Sequence, residues 1–238
     1  MTASADPIRR TRGRPPKSGP EQQEVRLRLL AATRTTFART GYHGLSVELV
    51  LAEAGLSRPT FYKYFRSLEE PVDLVLAEVN QQLVDSLIRV TLEASGVFNK
   101  LEAALLAWRD WGLALGPLLQ PLFAELHDPH SPASRHRQQT LAVLAENLGS
   151  LIETMGRARP SRLQLDALIN SVEYLGYRYH LETPGDAASW QETREAMLRI
   201  ALGLLGSADD WSQVLPAARP PSADVSRNPP TTRPDPRP

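Results

Sequence analysis

The chain has 238 residues, with 27 Lys/Arg matched by 27 Asp/Glu and no cysteine. The length suits one small module plus one larger domain, and the absence of thiols excludes disulfides and thiolate metal sites. The zero net charge hides an asymmetry: residues 1–66 carry 12 Lys/Arg against 5 Asp/Glu, and residues 67–238 carry 15 against 22, which suits a chain that presents one end to a polyanion.

Residues 1–20 are polar, basic and proline-rich, and are expected to be disordered when free. Within them Arg12-Gly13-Arg14-Pro15-Pro16-Lys17 resembles the core of an AT-hook, whose arginines enter the narrow minor groove. A basic arm attracted to phosphate without register is the other reading of the same residues. Arg9, Arg10, Arg12 and Arg14 follow the N-terminus without the apolar core of a signal peptide, and no apolar run nears the ~20 residues of a membrane span. The expectation is a soluble, cytoplasmic protein with no membrane partner.

Residues 21–66 read as three helices. Val25, Leu29, Ala32 and Phe37 share one face of the first, which stops at Gly41. Ser46 can cap a second, short helix with Val47, Val50 and Leu51 on its apolar face. Ala54-Gly55-Leu56 makes a turn in which Gly55 takes the left-handed conformation, and Leu56 returns the chain to the core. Ser57 offers its hydroxyl as the next N-cap, and Pro59 falls in a first turn, where a missing N–H matters little. From there Arg58, Thr60, Tyr62, Lys63 and Tyr64 project outward while Phe61 and Phe65 point inward. Such a surface suits phosphate oxygens and base edges together.

The residues Phe37, Gly41, Ala54, Gly55, Ser57, Thr60, Tyr62 and Phe65 fall in the register of the DNA-binding domain of the TetR family of transcriptional regulators, which the chain resembles from about Val25 to Val79. The resemblance implies an all-α fold: an N-terminal helix-turn-helix domain followed by a helical ligand-binding and dimerisation domain. It also implies a homodimer bound to a palindromic operator in double-stranded DNA, with a small-molecule effector and no cofactor. Tyr62 carries the family's phosphate contact. Arg58 and Lys63 are the candidates for base edges, Pro59 for a thymine methyl, and Ser46, Ser57, Thr60 and Tyr64 for positioning on phosphate, with Arg12 and Arg14 adding minor-groove contacts. Two positions depart from the pattern. Leu68 stands where a backbone-contacting lysine is usual, and Pro71 where an aliphatic residue is usual, which predicts a distorted start to the fourth helix.

Residues 67–206 read as helices throughout. Ser67 and Glu70 have the spacing of a capping box, opening a helix to about Ala94. Further helices are predicted over Asn99–Leu115, Pro117–His127, Ser134–Arg157, Ser161–Glu182 and Ala187–Gly206, with breaks at the intervening Pro and Gly residues. Trp108, Trp111, Phe123, His127 and Tyr174 are the candidate walls of an apolar or aromatic ligand's pocket. The same residues also suit a packed core. The last two helices carry Leu168, Val172 and Leu175, then Met197, Ile200 and Leu204, over a wide apolar circumference that a second subunit would cover. In the resembled family these helices build a four-helix bundle across a two-fold axis. Residues 207–238 contain eight prolines from Pro216 onward and read as a disordered tail.

The chain therefore reads as a sequence-specific regulator, a repressor released from DNA by its effector. An activator or a non-specific DNA binder of the same fold is the alternative. A metal-dependent enzyme or metalloregulator using His127, His130 and His136 is a further one, though these lie in a proline-broken connection and lack the helical zinc motif. Neither a nucleophile elbow nor a glycine-rich phosphate loop is present, so no catalytic residue is assigned.

Overall fold

The computed structural model describes residues 19–207. Among them are nine α-helices, one 3-10 turn and no strand. Arg12, Arg14 and the proline-rich tail lie outside the described residues.

Helix α1 (Gly19–Thr40) begins two residues inside the expected arm and buries Val25, Leu29, Ala32 and Phe37. Its buried Thr33 and Thr36 hydroxyls donate to the carbonyls of Leu29 and Ala32, each at 2.8 Å, so neither hydroxyl is left unpaired in the core. Helices α2 (Val47–Ala54) and α3 (Arg58–Tyr64) follow, and Phe61 of α3 is fully buried beside Val50 of α2. Helix α4 (Glu69–Glu93) buries Val72, Val75, Leu76, Val79 and Leu83, a helical spacing that lays one face against α1, α5 and α7.

The start of α4 differs from the expected capping box. Residues 66–68 bend, and Glu70 accepts from the backbone N–H of Arg66 at 2.8 Å, one residue before Ser67. Pro71 is buried within the first turn of α4 and does not interrupt it, because an N–H there has no intrahelical acceptor.

Helix α5 (Val97–Leu115) leads through the 3-10 turn Gly116–Leu118 into α6 (Leu119–Ala124). The expected helix to His127 ends three residues early, as Glu125 N–H turns back to Leu122. Helix α7 (Pro132–Thr154) starts at the Ser131 cap and closes at Gly156, whose φ is +74°. Helix α8 (Arg162–Glu182) opens with a full capping box between Ser161 and Gln164, and α9 (Ala187–Leu205) is capped by Asp186.

One apolar cluster runs without a break from Val25, Leu29 and Phe61 to Leu115, Leu118, Leu122 and Leu126. The N-terminal three-helix unit and the base of the larger domain therefore share a core. A second cluster of Leu105, Tyr179, Trp190, Met197 and Leu198 joins α5, α8 and α9. Met197 and Leu168, expected at a subunit interface, are buried within the protomer. Val172 and Leu175 also pack on that inner cluster, so the predicted stripe of α8 faces inward. The outward apolar residues of α8 are instead Leu163, Tyr174 and Leu181. Their spacing of 11 and 7 residues puts them on one face.

Candidate nucleic-acid interface and ligand cavity

The reading surface is set by three local choices in the chain. The Ser46 hydroxyl accepts from Leu49 N–H at 3.2 Å and fixes the start of α2. Gly55, at φ +59°, ends α2 in the left-handed conformation, and the Leu56 N–H bonds back to the Leu51 carbonyl. Pro59 then lies in the first turn of α3. Ser57 occupies the N-cap position, but its hydroxyl pairs with Thr60 Oγ1 at 2.9 Å and makes no cap bond to the backbone.

On α3, Arg58, Pro59, Tyr62 and Lys63 are exposed, Tyr62 to 47%. Tyr64 departs from the expected outward projection: it is half-buried against the core, because its position on α3 turns the ring toward the apolar cluster. Arg58 is already engaged, its guanidinium donating to Glu48 Oε1 at 2.6 Å and lying 5.7 Å from the Tyr62 ring centroid. Glu48 was not foreseen. It belongs to α2, ten residues earlier, and only the turn brings it alongside Arg58.

Behind this surface, polar contacts tie the α1–α2 connection to the α6–α7 connection. The buried Glu125 carboxylate accepts from Tyr42 N–H and from the Ser131 hydroxyl, both at 2.6 Å. It passes so close to Gly41 that a Cβ there would lie 2.6 Å from Oε1. His43 Nε2 and Asp128 Oδ2 are 2.5 Å apart. Their hydrogen bond raises the His43 pKa and lowers that of Asp128. Asp73 of α4 similarly receives Arg135 at 2.8 Å and His136 at 2.9 Å from α7. His136 is thus held by Asp73, while His127 and His130 are exposed on the connection. Among the described residues no group of three or more His, Asp or Glu is arranged to hold a metal ion.

A cavity of about 470 Å³ opens among α4 to α9, a size typical of small-molecule sites. Trp108, Trp111 and Phe123 line it, and Trp111 Nε1 is fixed by the Val79 carbonyl at 3.0 Å. His127 and Tyr174 do not. The early end of α6 leaves His127 in solvent, and Tyr174, 62% exposed, lies on the outer face of α8. The walls also include Arg137, which forks onto the Glu173 carboxylate at 2.6–3.1 Å. No sequence signal marked this pair, whose members are 36 residues apart.

The Trp108 ring fills the place that a Cβ at Gly176 would take, and the His180 ring does the same at Gly112, so α5 and α8 approach closely. His180 is buried with neither ring nitrogen hydrogen-bonded among the described residues. Burial, and next the positive charge of Arg109, push its pKa down to about 4.

Together these features define a helix-turn-helix unit joined to a larger helical domain. Residues 29–70 match the family model described as bacterial regulatory proteins, tetR family. Similar solved structures include a tetR-family transcriptional regulator from Streptomyces coelicolor, with TM-score 0.62 and 16% identity over 80% of this chain and 83% of that one. The fatty acid degradation regulator FadR from Bacillus halodurans gives TM-score 0.60 and 18% identity, over 76% of this chain and 96% of that one. GusR of Salmonella enterica gives 0.59 and 19%, over 77% and 96%. These likenesses show the fold. No curated protein matches the chain at a significant level. No described helix is long and apolar enough to cross a membrane.

Proposed function

We propose that the protein is a homodimeric repressor that binds a palindromic operator and leaves it when a small apolar or aromatic effector fills the cavity. The observation that carries this reading is the exposed set Arg58, Pro59, Tyr62 and Lys63 on a TetR-type recognition helix, backed by a core continuous with the cavity walls. Arg58 and Lys63 take base edges, Pro59 a thymine methyl, and Ser46, Thr60 and Tyr62 the flanking phosphates. Ser57 and Tyr64 contribute less, one through its bond to Thr60 and the other through its packing.

The second subunit covers Leu163, Tyr174 and Leu181 of α8 together with the half-buried Ile200 and Leu204 of α9. Two recognition helices then enter successive major grooves about 34–36 Å apart. Leu122, Phe123, Leu126 and Ala133 line the cavity on either side of Glu125 and Ser131, whose bonds reach Tyr42 ahead of α2. An effector that favours one arrangement of this junction changes the separation of the recognition helices, and acts through its differential affinity for the two states.

The test is selection of binding sites from a random duplex pool at fixed salt. The expected product is a palindromic consensus with half-sites one helical turn apart, bound by two subunits. Recovery of no consensus, or of a single half-site bound by a monomer, would overturn the proposal.

A further inference from the structure

The cavity is polarised along its length. Asp73 holds Arg135 and His136, so α7 starts beside the start of α4. Thr91, near the end of α4, then lies at the same end of the cavity as Thr154 of α7, its C-cap Met155, and Lys100 of α5. This end is remote from the DNA-binding unit. At the near end the walls are Trp111, Leu122, Phe123 and Leu126, with the Arg137–Glu173 pair internally satisfied. The wall residues of α4 alone, Asn80 to Leu92, span about 18 Å at 1.5 Å per residue. The cavity is thus long and apolar over most of its walls, with Lys100 and Arg157 at its DNA-remote end and the paired Arg137 and Glu173 nearer the DNA-binding unit.

Lys100 is the decisive residue. It lines the cavity; its ammonium donates to the Thr91 carbonyl and pairs with no carboxylate among the described residues. An ammonium has three donors, so two remain for another acceptor. A half-buried cation beside an apolar wall favours an anion as its partner, since such a charge is stabilised by pairing.

Resting on the reading of the cavity as an effector site, we propose that it takes an elongated amphiphile, with an anionic head group bound by Lys100 at the DNA-remote end and an apolar tail directed toward Trp111 and Phe123. This refines the expectation of a merely apolar or aromatic ligand: no cationic cluster stands out in the sequence, because Lys100 acquires its apolar surroundings only when α4, α5 and α7 pack together.

The experiment is calorimetric titration of the full chain with dodecanoate, dodecanol and dodecyltrimethylammonium, each below its micelle concentration. Wild type is expected to bind dodecanoate about tenfold more tightly than dodecanol, the ratio of one charge-assisted hydrogen bond, with the cation weakest. Lys100→Met should bring dodecanoate and dodecanol together without weakening dodecanol, and Lys100→Arg should keep the preference. Equal binding of all three by wild type, preference for the cation, or no binding of any would overturn the inference without recourse to a variant. So would a carboxylate preference that survives Lys100→Met. DNA release is measured separately on the selected site. Head-group preference without release would sink the effector reading and leave this inference standing, and release by dodecanol as readily as by dodecanoate would do the reverse.

Discussion

Every side chain on the candidate DNA surface among the described residues lies between Ser46 and Tyr64, whereas the cavity draws its walls from residues as far apart as Asn80 and Gly206. The first site is made by a turn and two caps, and its geometry follows from local backbone preference. The second exists only after six helices have packed. Yet the two are not separate bodies, because the cluster around Phe61 and Leu29 continues into Leu118 and Leu122. A locally specified reading head is thereby mounted on the floor of a globally specified chamber.

The largest test of that continuity is Phe61→Ala, at a fully buried site in α3. It should cost about 3–5 kcal/mol and lower a single cooperative unfolding transition, followed by far- and near-ultraviolet circular dichroism in urea. Two separated transitions would show that the regions unfold independently and break the comparison.

The next test belongs to the cavity side. His180 takes up a proton near pH 6.5 in the unfolded chain but only near pH 4 in the fold. Its contribution is fully present above pH 6.5 and is lost as pH falls toward 4, by ~3 kcal/mol. His180→Phe should flatten the unfolding free energy over that interval relative to wild type, the carboxylates being common to both. An identical pH slope in the two proteins would mean that His180 is solvated after all.

On the DNA side, Arg58→Ala should cost about 1–3 kcal/mol at one base pair and relax preference there, read by competition among single-substituted operators. Equal loss on every operator would make Arg58 a phosphate contact. The smallest effect is that of Tyr62→Phe, about 0.5–1.5 kcal/mol and uniform across sequences, because it removes one hydrogen bond to a sequence-blind phosphate. A base-dependent loss would move Tyr62 into the groove.

Much of the DNA-binding unit was legible in advance, and for a physical reason. Gly55, Pro59, Ser46 and the period of Val25, Leu29, Ala32 and Phe37 act within a turn or two of themselves. The helices of the larger domain were legible too, since prolines and glycines punctuate them. Side-chain destinations were not. Tyr174 and Trp108 are both aromatic residues on helices, but one faces solvent and the other fills a notch at Gly176 sixty-eight residues along. Ser67 had the right spacing for a cap, but the bend at residues 66–68 gave Glu70 a nearer donor in Arg66. The apolar stripe of α8 signalled burial correctly without saying in which molecule, and α5 and α9 of the same protomer supply the cover.

On the proposed function, the ion pair between Arg58 and Glu48 bears on the search for a site. On the proposed reading, a guanidinium that sits over a wrong base keeps its internal carboxylate, and that carboxylate stands close to the phosphates and repels them. Only a base offering two acceptors in the right plane draws the arginine away. On that reading, dwell times on random duplex would be shortened more than those on the operator, and a regulator so built would spend less of its time idling on non-operator DNA.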